Sequence, residues 1–510
     1  MSKKLLFNNN KQIIDNLVAE YVCTAEILPT FTPSDFSYTI EDKNNADGTI
    51  TRKIRAVNDN EFPRKMDFST KTELTRVNHY KVKVTNNSDN TPDQSSSFKN
   101  CTNLISCNLS ASNFAGVNTF NGMFMGCSKL ENVDLSGVNI NGCTIMSNMF
   151  NGCSSLTEVM GINNLNVSNL AKTDYMFQDC TALTSINLNN WNTASLGNTF
   201  SMFKNCTSLT SLDVSNWNAE NLYNLQSMFS NCSNLPSVTG INTWNITNKL
   251  ENCGAVFLGC KKISDVSFIN NWDVSRVTNV SGLFSGCIGI SSVDISNWTL
   301  GACKDMSNFF YSCNKLTEII GINDLNVSIV ENFQGMFQSC IALTSLDITN
   351  WTTSSAKNMS SMFQGCTGLT TIDLTRLNTG NVTTMGNMFN GCTNLQTVDL
   401  SNFVVNKVAI LESMFYNCQQ LTSVGDLSNW NTEALTTAIS MFNSCRSLSE
   451  LDLSNFNTTL ITNNTYVANM LKNVPTSITI TIDPSKFVHT SQQCFWSTDS
   501  GATYGTFTTI

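Results

Sequence analysis

Residues 381–402 read NVTTMGNMFNGCTNLQTVDLSN, and this stretch decides the fold. Val382, Met385, Met388, Phe389 and Cys392 fall at helical spacing, so they predict one buried face of a short helix that Asn381 caps and Gly391 ends. Leu395, Val398 and Leu400 follow as L-x-x-V-x-L, a short strand whose apolar side chains share one side while Asp399 and Ser401 take the other. One helix and one strand cannot bury these faces alone. The unit must stack on copies of itself.

Cysteine fixes the register of the copies. Cys101, Cys127, Cys153, Cys180, Cys206, Cys232, Cys260, Cys287, Cys313, Cys340, Cys366, Cys392, Cys418 and Cys445 are separated by 26 to 28 residues. Each has Phe three residues before it and Leu or Ile three residues after it. Three columns in phase over fourteen turns predict an α/β leucine-rich repeat solenoid of about 14–15 repeats, whose period lies within the ~20–29 residues of that class.

The repeated block, as in Met202 to Thr210 running on to Ser211-Leu-Asp-Val-Ser-Asn-Trp217, resembles the leucine-rich repeats of BspA-like bacterial surface proteins and of related surface lipoproteins. The resemblance implies a curved solenoid used for adhesion and ligand binding. It brings no catalytic residues with it, and it names no ligand.

Three segments follow: residues 1–97 as a small β-rich or α+β domain with a linker, 98–474 as the solenoid, and 475–510 as its C-terminal cap. In the first, Lys11 to Val22 could form an amphipathic helix. Phe36 to Ile40 and Ile50 to Val57 flank Asp47-Gly48, a hairpin turn signal, and His79 to Val84 alternates as a strand. Asn86 to Ser97, NNSDNTPDQSSS, reads as a linker. Met470-Leu-Lys-Asn-Val474 is a degenerate copy of the M-F-x-x-C block, and Ile478 to Ile482 alternates as a last strand, with residues 484–510 completing the cap. A longer period overlies the short one: TEVMGINNLNVS (157–168) returns as TEIIGINDLNVS (317–328), 160 residues on. Where repeats lengthen, Gly161, Gly240, Gly321 or Gly425 appears, which predicts a strand bulge.

Of 510 residues, 41% are hydrophobic and only 13% charged, so Asn, Ser and Thr supply much of the polarity. Residues 1–97 carry 13 basic and 13 acidic side chains, leaving 16 basic against 25 acidic for the remainder, so the repeats hold the whole of the −9 net charge. Nucleic acid is not an expected partner. No stretch reaches the ~18 apolar residues of a membrane helix, and the N-terminus lacks the apolar run of a secretory signal.

The twenty cysteines contain no C-x-x-C pair, and His79 and His489 are the only histidines, which argues against a metal centre. Neighbouring ladder thiols such as Cys127, Cys153, Cys180, Cys206 and Cys232, or Cys366 and Cys392, would lie about one strand spacing apart with parallel side chains, a poor disulfide geometry. They are expected as free, buried, structural thiols. Cys23, Cys107, Cys143, Cys253, Cys303 and Cys494 stand outside this ladder. Trp191, Trp217, Trp244, Trp272, Trp298, Trp351 and Trp430 form a column that would be a sugar platform if exposed. However, Phe403, Phe456, Leu165, Leu325 and Leu377 replace Trp in other turns, the mark of a core column. The asparagines before them, such as Asn190, Asn216, Asn297 and Asn350, are expected to bond to turn backbone.

Ligand-binding candidates lie on the strand face. Asp134, Asp213, Asp294, Asp347, Asp373, Asp399 and Asp452 all stand seven residues past a ladder cysteine, on the side away from the core. Stacked carboxylates could hold calcium, or could pair with nearby hydroxyls and amides and keep the face soluble. No nucleophile motif or phosphate loop accompanies them, so no enzyme and no cofactor is expected. The expected function is binding: a virion fibre or receptor-binding protein of a phage, made without a signal peptide. Its solenoid would meet a host surface glycan or protein, and residues 1–97 would dock to a virion protein. The alternatives are a bacterial cell-surface adhesin or an intracellular scaffold.

Overall fold

A computed structural model of the chain describes residues 17–32, 36–57, 63, 65–80, 93–488 and 506–509. The chain is a β-solenoid of about fifteen turns. It divides into two compact units, residues 1–198 with 202–218, and residues 199–201 with 219–510.

The expected leucine-rich repeat solenoid is present, but the helix of each repeat is absent, so α/β describes this almost wholly β architecture only loosely. Among the described residues the helical segments are short 3-10 turns of three to five residues. Val382, Met385, Met388, Phe389 and Cys392 are all buried as the spacing required, but by a different backbone. The N–H groups of Met385, Asn387, Phe389 and Gly391 point out of their own turn and donate to the carbonyls of Ile410, Glu412, Met414 and Tyr416 in the next. The alternate groups, on Met388, Asn390 and Cys392, close tight turns onto Met385, Asn387 and Phe389. A helix would keep all of these bonds to itself.

This path needs a left-handed residue twice per turn, five residues and one residue before the cysteine. Asn387 and Gly391 hold φ of 60° and 76°, and other turns fill these places with Asn, Ser, Gly, Asp, Ala255 or Tyr175. Asn, Asp and Gly tolerate that region best, and asparagine takes nine of these places.

In the first unit, β1 (Leu17–Cys23), β3 (Tyr38–Asn44), β4 (Ile50–Ala56) and β6 (Leu74–Tyr80) make an antiparallel group in the order β3-β4-β1-β6; β2 (Thr30–Thr32) pairs with β5 (Lys65–Asp67) separately. The hairpin at Asp47-Gly48 is present, with Gly48 at φ 81°. The helix expected over Lys11 to Val22 is instead β1 from Leu17 on; residues 11–16 lie outside the described residues, as do 81–84 of the expected strand and 86–92 of the expected linker.

The sheet does not stop at residue 97. Strand β6 pairs in parallel with β7 (Ser106–Asn108), and β8 (Asn132–Asp134) and β9 (Glu158–Met160) extend it. Phe68 stacks on Phe98 at 5.5 Å, and its carbonyl accepts the Cys101 thiol as each ladder phenylalanine does for the cysteine of the following turn. Residues 65–80 are thus already a solenoid turn, and the N-terminal strands cover its open end. Ser185–Asn187 pairs with Ser211–Asp213 farther along this unit.

In the second unit the parallel pairs are Ser292–Asp294 with Glu318–Ile320, Thr371–Ile372 with Thr397–Val398, and Glu450–Leu453 with Thr479–Ile482, on which Thr506–Thr509 adds a further strand. Single bridges form a second ladder, Asn224 to Asn252 to Asn279 and on through Asn358 to Thr437. The degenerate block follows the ordinary path: Phe442 N–H donates to Met470, and Asn469 and Asn473 are left-handed. The bulges expected at Gly161, Gly240 and Gly321 are left-handed glycines that open 3-10 turns at Ile162–Asn164, Ile241–Thr243 and Ile322–Asp324.

Phenylalanine rings form the spine. Phe98, Phe124, Phe150, Phe177 and Phe203 stack at 5.1–5.5 Å in the first unit, and the second has a column of its own from Phe229 to Phe442. All seven tryptophans of the other column are buried. Several indole N–H groups reach backbone carbonyls, for example Trp191 to Ile162 at 2.8 Å and Trp351 to Ile322 at 2.7 Å.

Candidate binding face

The nineteen described cysteines are free and buried. Ladder thiols are more than fillers: each sulfur with a recorded bond donates to the carbonyl of the phenylalanine one turn back, as Cys153 does to Phe124 at 3.1 Å and Cys366 to Phe337 at 3.0 Å. Burial pushes the Cys260, Cys313 and Cys366 thiols up to about 12. They stay protonated, as a donor must, and are poor nucleophiles. Cys23, Cys107, Cys143, Cys253 and Cys303 are buried too, while Cys494 and His489 lie outside the described residues.

The seven aspartates share one arrangement. An Oδ1 of each accepts the backbone N–H two residues on: Ser136 at 2.8 Å for Asp134, Ser215 at 3.0 Å for Asp213, Ser296 at 2.9 Å for Asp294, and Thr349, Thr375, Ser401 and Ser454 for Asp347, Asp373, Asp399 and Asp452. The hydroxyl two residues on also donates in five of them, for instance Ser215 to Asp213 at 2.6 Å and Thr349 to Asp347 at 2.7 Å. These bonds hold the Asp213, Asp347 and Asp373 carboxyls below the usual range. One oxygen of each carboxylate therefore turns the chain out of the strand, and the other is left to the surface or a neighbouring amide, as with Asn189 and Asp213. Among the described residues no group of three or more His, Cys, Asp and Glu is placed to hold a metal ion.

Asparagine also ties turn to turn. The Oδ1 atoms of Asn163, Asn270 and Asn323 accept the backbone N–H of Asn190, Asn297 and Asn350. The tryptophan-flanking asparagines are thus held through their backbone by an amide one turn back.

Charge on the strand face is sorted. At positions four to eight past the ladder cysteine, none of the fourteen cysteine-bearing turns carries Lys or Arg, whereas thirteen Asp or Glu stand there, including Glu131, Glu158, Asp265, Glu318, Asp426 and Glu450 besides the seven aspartates; the first turn, with Lys71 in the cysteine's place, carries Arg76. The basic residues occupy other faces; Lys304 and Lys357, for example, both meet Glu331.

Two surface depressions break the regular pattern. On the strand face of the first unit, an open groove of about 610 Å³ is lined by Glu158, Met160, Gly161, Asn163, Asn164 and Asn187. On the turn face of the second unit, a groove of about 370 Å³ runs between Leu258 and Tyr311 over Ser281, Gly282, Ser285 and Ser307. Sequence reasoning passed over the second groove. Its signal was Gly-Leu-Phe-Ser-Gly-Cys287, where Ser285 stands between the larger Leu258 and Tyr311 in one column.

Matches to the family described as Mycoplasma protein of unknown function, DUF285, cover residues 72–161, 92–211, 118–239, 157–266, 234–340, 291–397 and 367–481. The chain belongs to the DUF285 family. The first of these overlapping DUF285 matches begins at residue 72, two residues before β6, where the structure already shows a solenoid turn. Similar solved structures include a leucine-rich repeat protein from Bacteroides ovatus, 16% identical, covering 93% of this chain and 100% of that one with a TM-score of 0.33. One from Eubacterium ventriosum is 15% identical, covering 88% and 99% with a TM-score of 0.34. No curated protein sequence matches the chain. Among the described residues no helix is long and apolar enough to cross a membrane.

Proposed function

We propose that this DUF285 chain is a non-enzymatic adhesion protein whose strand face takes a partner bearing basic groups. The charge sorting carries the reading: over fourteen turns the face offers carboxylates, hydroxyls and amides and no cation of its own. Complementary charge steers and orients such a partner more than it adds affinity, and many small contacts on a rigid ladder supply the rest. The partner is a protein or glycan at a host surface. The chain works as a virion fibre or receptor-binding protein, with its N-terminal strands docked on the particle through the exposed edge of β3. A cell-surface adhesin is the second reading, favoured by the family's description from Mycoplasma.

The test is binding of labelled full-length protein to washed bacterial cells at low and high salt. Saturable binding that weakens with salt and is lost when Asp347, Asp373 and Asp399 are all changed to Asn supports the reading. Binding that ignores both overturns it. Recovery of the native protein in purified particles or in the cell envelope then separates the two settings.

A further inference from the structure

We propose that the groove between Leu258 and Tyr311, on the turn face of the second unit, is a subsite for one ring of a neutral glycan. This does not depend on the strand-face reading, which concerns other residues.

The turn Gly282 to Cys287 buries Leu283 and Phe284 but carries small residues, Gly282 and Ser285, at the outward places where its neighbours carry larger ones. Ala255 and Leu258 flank it on one side, and Ser307, Asn308 and Tyr311 on the other, leaving an open groove of about 370 Å³. That volume lies within the range of small-ligand sites, about 300 to 1,000 Å³. Tyr311 is 36% exposed, so its ring is a wall of the groove rather than part of the core.

The hydroxyls decide the chemistry. Ser285 and Ser307 line the groove, are each only 9% exposed, and have no side-chain hydrogen-bond partner among the described residues. Neither oxygen is among the buried side-chain atoms left without a partner, so both open onto the groove, where they are available to an occupant. A wholly apolar occupant, such as a leucine side chain of another protein, would leave both unpaired. A charged one would be desolvated against a lining that holds no charged side chain. A pyranose ring satisfies both limits. Its C–H face lies flat on an aromatic ring, its rim of hydroxyls donates to and accepts from serine, and it carries no charge.

Saturation-transfer NMR on the full chain tests this, with the methyl glycosides of glucose, galactose, mannose and N-acetylglucosamine as separate probes. Transfer to the ring protons of at least one probe is expected. Tyr311→Ala should weaken it, and Ser285→Ala should weaken it about fivefold, the worth of one neutral hydrogen bond. Ser285→Leu should abolish it by filling the groove; the substitution is compatible with the fold because Leu258 occupies the same place one turn earlier. Absence of transfer for all four probes overturns the proposal. So does transfer that persists unchanged in Ser285→Leu or, should that variant not fold, in Tyr311→Ala, whose half-exposed ring is not needed for folding.

Discussion

The sulfur of Cys392 lies 3.0 Å from the carbonyl oxygen of Phe363, one turn earlier in the solenoid, and donates its S–H to it. The same carbonyl also accepts the backbone N–H of Cys366. Cys392→Ala removes the thiol bond and leaves a small void without orphaning the acceptor. The expected loss is about 1–2 kcal/mol in chemical denaturation at neutral pH. A variant as stable as the parent would show that the thiol contributes nothing specific.

The ladder makes the fold sensitive to alkali. Burial raises the folded-state pKa of most ladder thiols, well above the usual value for Cys392 and to about 12 for Cys366. A raised pKa gives stability that is whole below the unfolded value, about 8.5, and is lost as pH rises beyond it. One unit above that value the loss is about 1.4 kcal/mol per thiol, and over a ladder this long the sum exceeds the ~5–15 kcal/mol that hold a typical domain. Tryptophan fluorescence should report a steep unfolding transition between about pH 9 and 10. The deficit of Cys392→Ala should narrow there, because that variant has one thiol fewer to ionise. A chain that stays folded well above this range contradicts the account.

Two glycines separate conformational strain from crowding. Gly48 and Gly321 have nearly the same φ, 81° and 82°, but a Cβ on Gly48 meets nothing within 4 Å while one on Gly321 falls on the Ser296 backbone, its nitrogen at 2.6 Å. Gly48→Ala should cost about 1 kcal/mol, the price of a left-handed residue alone. Gly321→Ala should cost more than about 3 kcal/mol or prevent folding. Equal effects would mean that the backbone at Ser296 yields easily.

The aspartate column can be divided into its structural and its charged halves. Asn at 347, 373 and 399 keeps the Oδ1 that accepts from Thr349, Thr375 and Ser401 but loses the charge. The triple Asn variant should melt within a few degrees of the parent and lose salt-sensitive binding of poly-L-lysine. The triple Ala variant should lose about 2–4 kcal/mol of stability as well. Equal stability of the two variants would remove the turn-closing role.

Much of this was legible in the residues themselves. The Phe, Cys and Leu columns gave the period, and the replacement of Trp430 or Trp351 by Phe403 or Leu377 in other turns marked that column as core. The helix was misread because a run of tight turns buries residues three apart just as a helix does. The distinguishing signal was in plain sight at Asn387 and Gly391: Asn, Asp, Gly or Ser stands at both places in almost every turn, and a helix has no use for a left-handed residue in its interior. The first turn escaped notice because Phe68-Ser-Thr-Lys71-Thr-Glu-Leu74 keeps the Phe and Leu columns but puts Lys where the cysteine stands elsewhere, and 30 residues separate it from the next. The groove at Ser285 left only a trace in the sequence, a serine between Leu258 and Tyr311 in one column, because its depth depends on which column faces outward.

The alternating backbone bonds have a consequence for how such a chain changes over generations. Turn after turn receives the same set of N–H groups from the one before it and passes the same set on, as Phe389 does to Met414 and Phe415 to Met441. Whole turns can therefore be gained or lost, singly or in blocks, without creating a mismatched joint, and the 160-residue echo between Thr157 and Thr317 spans six of them. Length is a quantity that this architecture lets mutation adjust in whole-turn steps while the chemistry of each step stays the same.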